Sequence, residues 1–226
     1  MKKQKYAFEE DYFEGYFLHN VADFSDKSFK RMWNWFRGIF EIVDKETGIK
    51  NGHGKKALEF GCALGAASHV LFDFGYEVVA TDVSKFAVTK AKQFSPKVTF
   101  VQHDIQKSFT KHGKFDLIIA LDVIEHLERP DAAVKNLLAI IKKNGKVICS
   151  TPNDYEYARK IPSHINVKKP EKWKKIFLDA GFKKVTIKQF TLLPFLYRLH
   201  WRLQFGFPFG INMELLPSPV FIIAEK

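Results

Sequence analysis

Lys56 Ala57 Leu58 Glu59 Phe60 Gly61 Cys62 Ala63 Leu64 Gly65 is a short apolar run that meets glycines and gives way to a helical pattern. Beyond it Ala67, Val70, Leu71 and Phe74 recur at helical spacing, and Gly75 stands where a helix stops, so the unit reads strand, glycine turn, helix. Glycine has no side chain to hold a ligand off, so such a turn lets a ligand approach the backbone closely. Taken alone, the turn fits a nucleotide-type cofactor site or a plain connection between a strand and a helix.

The residues that follow narrow the choice. Tyr76 to Thr81 reads as a second buried strand and ends at Asp82, about 20 positions beyond Gly61, a spacing that brings a carboxylate to the tip of the neighbouring strand. There it can accept hydrogen bonds from both ribose hydroxyls of a nucleoside, or it can serve with Ser84 in capping the next helix. Lys97 to Gln102 gives a third strand, followed by His103, Asp104 and Ile105, and Phe115 to Leu121 a fourth, followed by Asp122. Pro130 opens a helix that carries Val134, Leu137, Leu138 and Ile141 on one stripe and is expected to close at Gly145. Lys146 to Ser150 is strand five, Pro170 to Gly181 a further helix, and Val185 to Phe190 and Val220 to Ala224 the remaining strands. Upstream, Phe29, Met32, Trp33, Phe36, Phe40 and Val43 form the apolar stripe of a long helix from Ser25, after an aromatic and acidic lead-in over residues 6 to 24.

Alternating strands and helices imply an α/β fold, a doubly wound parallel sheet with helices on both faces in three layers. Ligands of such sheets bind past the carboxyl ends of the strands, and Glu59, Asp82, Asp104 and the Asp122 to His126 segment all sit at strand ends. One domain over residues 1–226 accommodates the pattern, with 1–50 as a helical cap and 191–219 as an aromatic insert before the last strand.

The composition limits the setting. Thirty-six Lys and Arg against 25 Asp and Glu give a formal charge of +11, and the excess lies mostly in residues 151–226, with 13 cations and six acids. Such a basic face suits a solvated surface, nucleic acid or an anionic membrane. Cys62 and Cys149 both lie in segments expected to be buried, without paired-cysteine metal spacing, which suits a reducing, cytoplasmic location. The first residues lack the apolar core of an export signal, and no uncharged run reaches the ~18 residues of a spanning helix.

Leu58 Glu59 Phe60 Gly61 Cys62 Ala63 Leu64 Gly65 resembles the first motif of the class I S-adenosylmethionine-dependent methyltransferases, an acid two places before a glycine-rich turn. The resemblance continues in order through Asp82, His103 Asp104 Ile105, and Leu121 Asp122 Val123 Ile124 Glu125 His126 Leu127. This last stretch is similar to the small-molecule O-methyltransferase branch that includes ubiquinone biosynthesis. Lys142 to Lys146, Ser150 Thr151 Pro152 Asn153 and Asp179 to Phe182 match further segments, so the likeness covers about residues 55 to 190 plus the terminal strand.

The resemblance implies a Rossmann-like, seven-stranded sheet whose last strand is antiparallel and inserted between the fifth and sixth. It implies S-adenosyl-L-methionine as cofactor and S-adenosyl-L-homocysteine as product. Gly61, Ala63 and Gly65 would line the methionine part, Glu59 would serve its amino group and Asp82 the ribose. Asp104 would face the adenine amino group, Ile105 and Val83 the two faces of its ring, and Leu121 and Asp122 the sulfonium end. The family commonly has glycine where this chain has Ala63, so an added methyl there costs affinity unless the local backbone is right-handed or extended.

In-line methyl transfer from a sulfonium needs no metal, and positioning carries most of the catalysis. A hydroxyl acceptor must also lose its proton, and an imidazole suits that task. His126, just past strand four, is the first candidate base and His164 the second; a histidine bonded to loop backbone is the plainer reading of each.

The expected acceptor is a small molecule, apolar or lipid-linked, methylated at oxygen. An RNA or protein substrate and a non-catalytic cofactor-binding domain are the competing readings. The insert with Phe190, Phe195, Tyr197, Trp201, Phe205, Phe207 and Phe209 would be core, a lid over the acceptor or a membrane-contacting surface. Nothing in the sequence indicates an oligomeric state.

Overall fold

The computed structural model describes residues 8–14, 23–193 and 196–226, so the lead-in and Phe195 of the insert lie partly or wholly outside the described residues. Seven strands form one sheet in the order β3-β2-β1-β4-β5-β9-β6, and a separate two-stranded ribbon pairs β7 with β8. The strands are β1 (Lys56–Phe60), β2 (Glu77–Asp82), β3 (Thr99–Gln102), β4 (Phe115–Leu121), β5 (Ile141–Pro152), β6 (Lys184–Gln189), β7 (Thr191–Leu192), β8 (Gly206–Phe207) and β9 (Pro219–Glu225). The chain divides into two compact units, residues 5–104 with 194–205 and residues 105–193 with 206–226.

In the first unit, β1 pairs in parallel with β2 from Lys56 opposite Glu77 to Phe60 opposite Thr81, and β2 pairs in parallel with β3. Ala57, Leu58, Glu59 and Phe60 are all buried, as expected of a strand covered on both faces. Helix α1 is a single turn (Glu10–Tyr12) and α2 runs Asp26–Thr47. α2 is capped by the Ser25 hydroxyl, which accepts the Ser28 N–H at 3.3 Å, and stopped by Gly48 in the left-handed region at φ 65°.

Its sequence stripe proved too narrow, because Asn34, Gly38 and Ile39 are also buried. The additional faces meet the 196–205 segment: Trp35 packs edge-on against Tyr197 at 4.9 Å, and the Arg37 guanidinium lies 5.0 Å from the Trp201 ring centre. Gly38 is needed there, since a Cβ would come within 2.8 Å of Gln204 Cβ. Gly38→Ala should therefore destabilise the chain by about 1–2 kcal/mol despite alanine's better helix propensity, the overpacking outweighing the propensity. A urea melt showing net stabilisation would refute the contact.

Helices α3 (Ala66–Asp73) and α4 (Lys85–Phe94) complete this unit. α3 starts directly on Gly65 at φ 79°, where a Cβ would meet the Phe100 ring at 2.8 Å, and α4 is capped by Ser84 Oγ accepting the Ala87 N–H at 3.1 Å. Glycine is thus required at 65 both for its dihedral and for the close approach of β3.

In the second unit, β4 and β5 are parallel while β9 runs antiparallel to both β5 and β6. The expected inserted antiparallel last strand is present. Helix α5 (Pro130–Ile140) begins with proline at its first turn, and α7 (Pro170–Ala180) does the same and ends on Gly181 at φ 110°. A short α6 (Glu156–Lys160) lies between β5 and α7. Trp173 and Phe177 of α7 are fully buried.

One boundary differs from the sequence reading: α5 stops at Ile140 and not at Gly145. Ile141 already pairs with Phe115, and the register then jumps so that Leu117 faces Lys146, with Asn144 at φ 66° in the bulge between them. Ile141 is therefore a strand residue held by its β4 partner, which outweighs the helical periodicity. The late aromatics also differ from a core reading, because Phe205, Phe207 and Phe209 are exposed. No helix among the described residues is long and apolar enough to cross a membrane.

Candidate active site

The cofactor-type residues of the first unit gather at the ends of β1 and β2. Gly61, Ala63 and Gly65 have φ of 71°, 45° and 79°, so every second residue of the turn is left-handed. For Ala63 this is the conformation in which a Cβ is penalised, so its backbone is neither right-handed nor extended. What holds it there is Asp82. The Ala63 N–H donates to Asp82 Oδ2 at 2.9 Å, while the Ser84 N–H donates to Oδ1 at 2.9 Å. The capping reading of Asp82 is met, since it shapes the start of α4, and a carboxylate oxygen can accept more than one donor. Ala63→Gly should raise stability by up to about 1 kcal/mol, the relieved strain exceeding glycine's entropic cost. Chemical denaturation measures this, and a loss of stability would show that Ala63 sits comfortably.

Glu59 points inward from β1, 3% exposed, and accepts the Ser68 hydroxyl. Burial lifts its carboxyl to about 8, the Ser68 bond opposing and the Asp82 charge reinforcing the shift. Asp82 is also raised, by burial first, against the backbone donors of Ser84 and Ala63. Val83 beside it is 48% exposed, an apolar side chain left open next to the candidate ribose acid, and its carbonyl accepts the Gln102 side-chain amide at 2.9 Å. The His103 N–H donates to the Asp82 carbonyl at 2.8 Å, which continues the β2–β3 pairing up to half-buried Asp104.

In the second unit Ile105 is buried and its carbonyl accepts the Asn136 amide at 2.9 Å. Leu121 ends β4, and Asp122 follows at φ 52°, its N–H donating to Ser150 and its Oδ1 accepting the Ser150 hydroxyl at 2.9 Å. A short 3-10 turn (Ile124–His126) then places Glu125 and His126 side by side. His126 Nδ1 lies 2.9 Å from the Ser163 carbonyl oxygen, and His164 Nδ1 lies 3.0 Å from the Ala158 carbonyl oxygen. A carbonyl only accepts, so each Nδ1 carries a proton, and a ring in its neutral form then has its lone pair on Nε2. Burial pulls the His126 pKa down, against the Ser163 bond, which keeps that ring neutral at physiological pH.

The two imidazoles meet edge to face, centroids 4.9 Å apart. Residues distant in sequence are thereby brought together, and the plainer reading of His126, a histidine bonded to loop backbone, is observed. Glu125 is the group that sequence reasoning passed over. It is fully buried, with a carboxylate oxygen within 4.8 Å of a ring nitrogen of each histidine.

A family model described as a methyltransferase domain matches residues 30–187. The chain belongs to that family. Among curated relatives, this methyltransferase domain is 31% identical over 117 residues to a ubiquinone biosynthesis O-methyltransferase of Coxiella burnetii, covering 50% of this chain and 49% of the relative. It is 34% identical to the enzyme of the same description from Rickettsia felis, over 50% of this chain and 48% of the relative. The chain spans about half the length of the curated relatives it matches. Among solved structures, it superposes on an S-adenosylmethionine-dependent methyltransferase from Archaeoglobus fulgidus with TM-score 0.66 and 19% identity, over 94% of this chain and all of that one. Magnesium protoporphyrin IX methyltransferase from Synechocystis, solved with bound S-adenosylmethionine, gives TM-score 0.63 at 18% identity over 96% and 94%. At these identities the structural likeness concerns the fold, which is the expected α/β sheet.

Proposed function

We propose that residues 1–226 form one methyltransferase domain that moves the methyl group of S-adenosyl-L-methionine to an oxygen of a small apolar molecule in the cytoplasm. The observation that carries this reading is the Asp82 carboxylate. It ends β2 with one oxygen on the Ala63 N–H of the glycine turn and the other on the Ser84 N–H, a rigid acceptor at the place where a ribose is expected. The membership of the methyltransferase family and the names of the curated relatives support the rest.

In this reading Gly61, Ala63 and Gly65 hold the methionine part, with Glu59 serving its amino group. Asp82 takes the ribose hydroxyls, Val83 and Ile105 cover the adenine ring, Asp104 meets its amino group, and Leu121 and Asp122 border the sulfonium. The acceptor oxygen forms its bond to the methyl carbon as the carbon–sulfur bond breaks and its electron pair returns to sulfur, leaving S-adenosyl-L-homocysteine. Positioning supplies most of the acceleration. The acceptor's hydroxyl proton must leave, and His126 with His164 form the group that draws it off. The exposed Phe205, Phe207 and Phe209 suit an apolar or lipid-linked acceptor.

Two experiments test this. Incubation of the full chain with methyl-labelled cofactor and a panel of hydroxylated aromatic compounds, short-tailed and isoprenoid-tailed, should label at least one at oxygen; transfer only to RNA or protein would overturn the small-molecule reading. His126→Ala should leave S-adenosyl-L-homocysteine binding unchanged while lowering turnover about 100-fold or more, the usual scale of proton-transfer assistance. Full activity of that variant would remove His126 from the mechanism.

A further inference from the structure

Residues 196–205 of the first unit carry two stripes with different surroundings. Tyr197, Trp201 and Gln204 turn towards α2. The Tyr197 ring packs edge-on against Trp35 at 4.9 Å, the Trp201 ring centre lies 5.0 Å from the Arg37 guanidinium, and Gln204 fills the space that Gly38 leaves. Two short 3-10 turns, Leu196–Arg198 and Trp201–Leu203, shape the segment between these anchors. The other stripe is left outside: Leu196, Leu199, Leu203 and Phe205 are 41%, 75%, 39% and 53% exposed. A segment pinned through its inner stripe cannot turn these side chains into the core. Single exposed leucines are ordinary on a protein surface, but several large apolar side chains gathered in one short segment mark a contact surface.

The polar residues among them set the sign of the partner. Arg198 and Arg202 are exposed, and neither guanidinium is held in an ion pair among the described residues. No Asp or Glu occurs in the sequence between Asp179 and Glu214, so no acid on this stretch offsets their charge.

We propose that residues 196–205 dock the protein on an anionic lipid bilayer, Leu196, Leu199, Leu203 and Phe205 entering the boundary between headgroups and acyl chains while Arg198 and Arg202 meet lipid phosphates. Apolar side chains interleaved with cations and free of acids are the composition of segments that lie in a membrane interface. Single-stranded nucleic acid calls for open aromatic faces on which bases stack. Here Tyr197 is engaged by Trp35, and Trp201 by Arg37 and by the Arg202 guanidinium 5.1 Å from its ring centre. An acidic protein would satisfy the cations but would have to match each apolar side chain by shape, which a fluid bilayer need not do. The contact rests on these side chains alone; its use, drawing a lipid-linked acceptor from the bilayer, rests on the methyltransferase reading.

Flotation of the full chain with vesicles tests the contact. At low salt the chain should float with equimolar phosphatidylglycerol and phosphatidylcholine vesicles and stay behind with phosphatidylcholine alone. Arg198→Gln combined with Arg202→Gln should weaken binding about 10-fold or more, each cation near an anionic surface contributing roughly 5-fold. Leu199→Ala combined with Leu203→Ala should also weaken it about 10-fold or more, which separates insertion from charge attraction alone. Lys111→Gln combined with Lys114→Gln removes the same charge from two exposed lysines of the second unit and should change binding less than about threefold. Circular dichroism and S-adenosyl-L-homocysteine titration should be unchanged in all of these variants. Equal binding to neutral vesicles, binding to neither kind, or undiminished binding in either the arginine or the leucine variant overturns the proposal. So does a loss in the lysine variant as large as in the arginine variant, or retention of RNA or an acidic protein in preference to anionic vesicles. Vesicle binding by a chain that binds no S-adenosyl-L-homocysteine would sustain the membrane contact and refute the methyltransferase reading, and the converse would overturn the contact and leave that reading intact.

Discussion

Asp82→Ala should weaken S-adenosyl-L-homocysteine binding by about 100-fold or more. Hydrogen bonds to a charged group contribute about 1.5–3 kcal/mol each, and a ribose diol would make two to this carboxylate. The substitution also leaves the Ala63 and Ser84 N–H groups without their acceptor, so the turn loses the bond that holds Ala63 at φ 45°. Asp82→Asn, which keeps an oxygen acceptor but loses the charge, should fall between the two. Calorimetry on variants with unchanged circular dichroism measures the effect. An affinity within threefold of the parent would mean that Asp82 serves only the cap of α4.

Glu59→Gln should stabilise the cofactor-free chain at pH 8 by roughly 3–5 kcal/mol, a rise in Tm on the order of 10 °C. The sign follows from proton uptake. The Glu59 carboxyl is raised from 4.5 to about 8 in the folded chain, so above pH 4.5 the unfolded chain releases a proton that the folded chain retains. Each pH unit between these values then lowers folding stability by about 1.4 kcal/mol, and the loss is complete near pH 8. Glutamine has no proton to retain and can still accept the Ser68 hydroxyl. The difference between parent and variant should be close to zero at pH 4.5 and grow to its full size by pH 8. Urea denaturation across that range checks it, and a difference that does not change with pH would mean Glu59 is not titrating in the fold.

Local chemistry was the legible part. The glycine turn, Asp82 at the tip of β2, and the proline starts of α5 and α7 are set by residues within a few positions of the feature, so spacing alone places them. The position of β9 was available only through resemblance, because its pairing joins Lys146 to Glu225, residues far apart in the chain. The end of α5 went wrong for a related reason: Ile141 fits the helical stripe, and only its pairing with Phe115 makes it a strand residue.

In the candidate site, His126 and His164 could be named one by one, but their edge-to-face meeting comes from the turn after β4 and the loop after α6 converging. Glu125 was missed because an acid between Ile124 and His126 reads as a surface residue until tertiary packing buries it. Gly38 shows the same limit in the first unit, its significance lying in Gln204, far along the chain.

Titration of the full chain with S-adenosyl-L-homocysteine in a calorimeter tests the central claim most directly, because it does not need the acceptor. One-to-one binding in the parent, weakened about 100-fold or more in Asp82→Ala, is the expected result. Absence of heat and of competition with S-adenosylmethionine at millimolar ligand would contradict the assignment of a methyl-donor site to this chain.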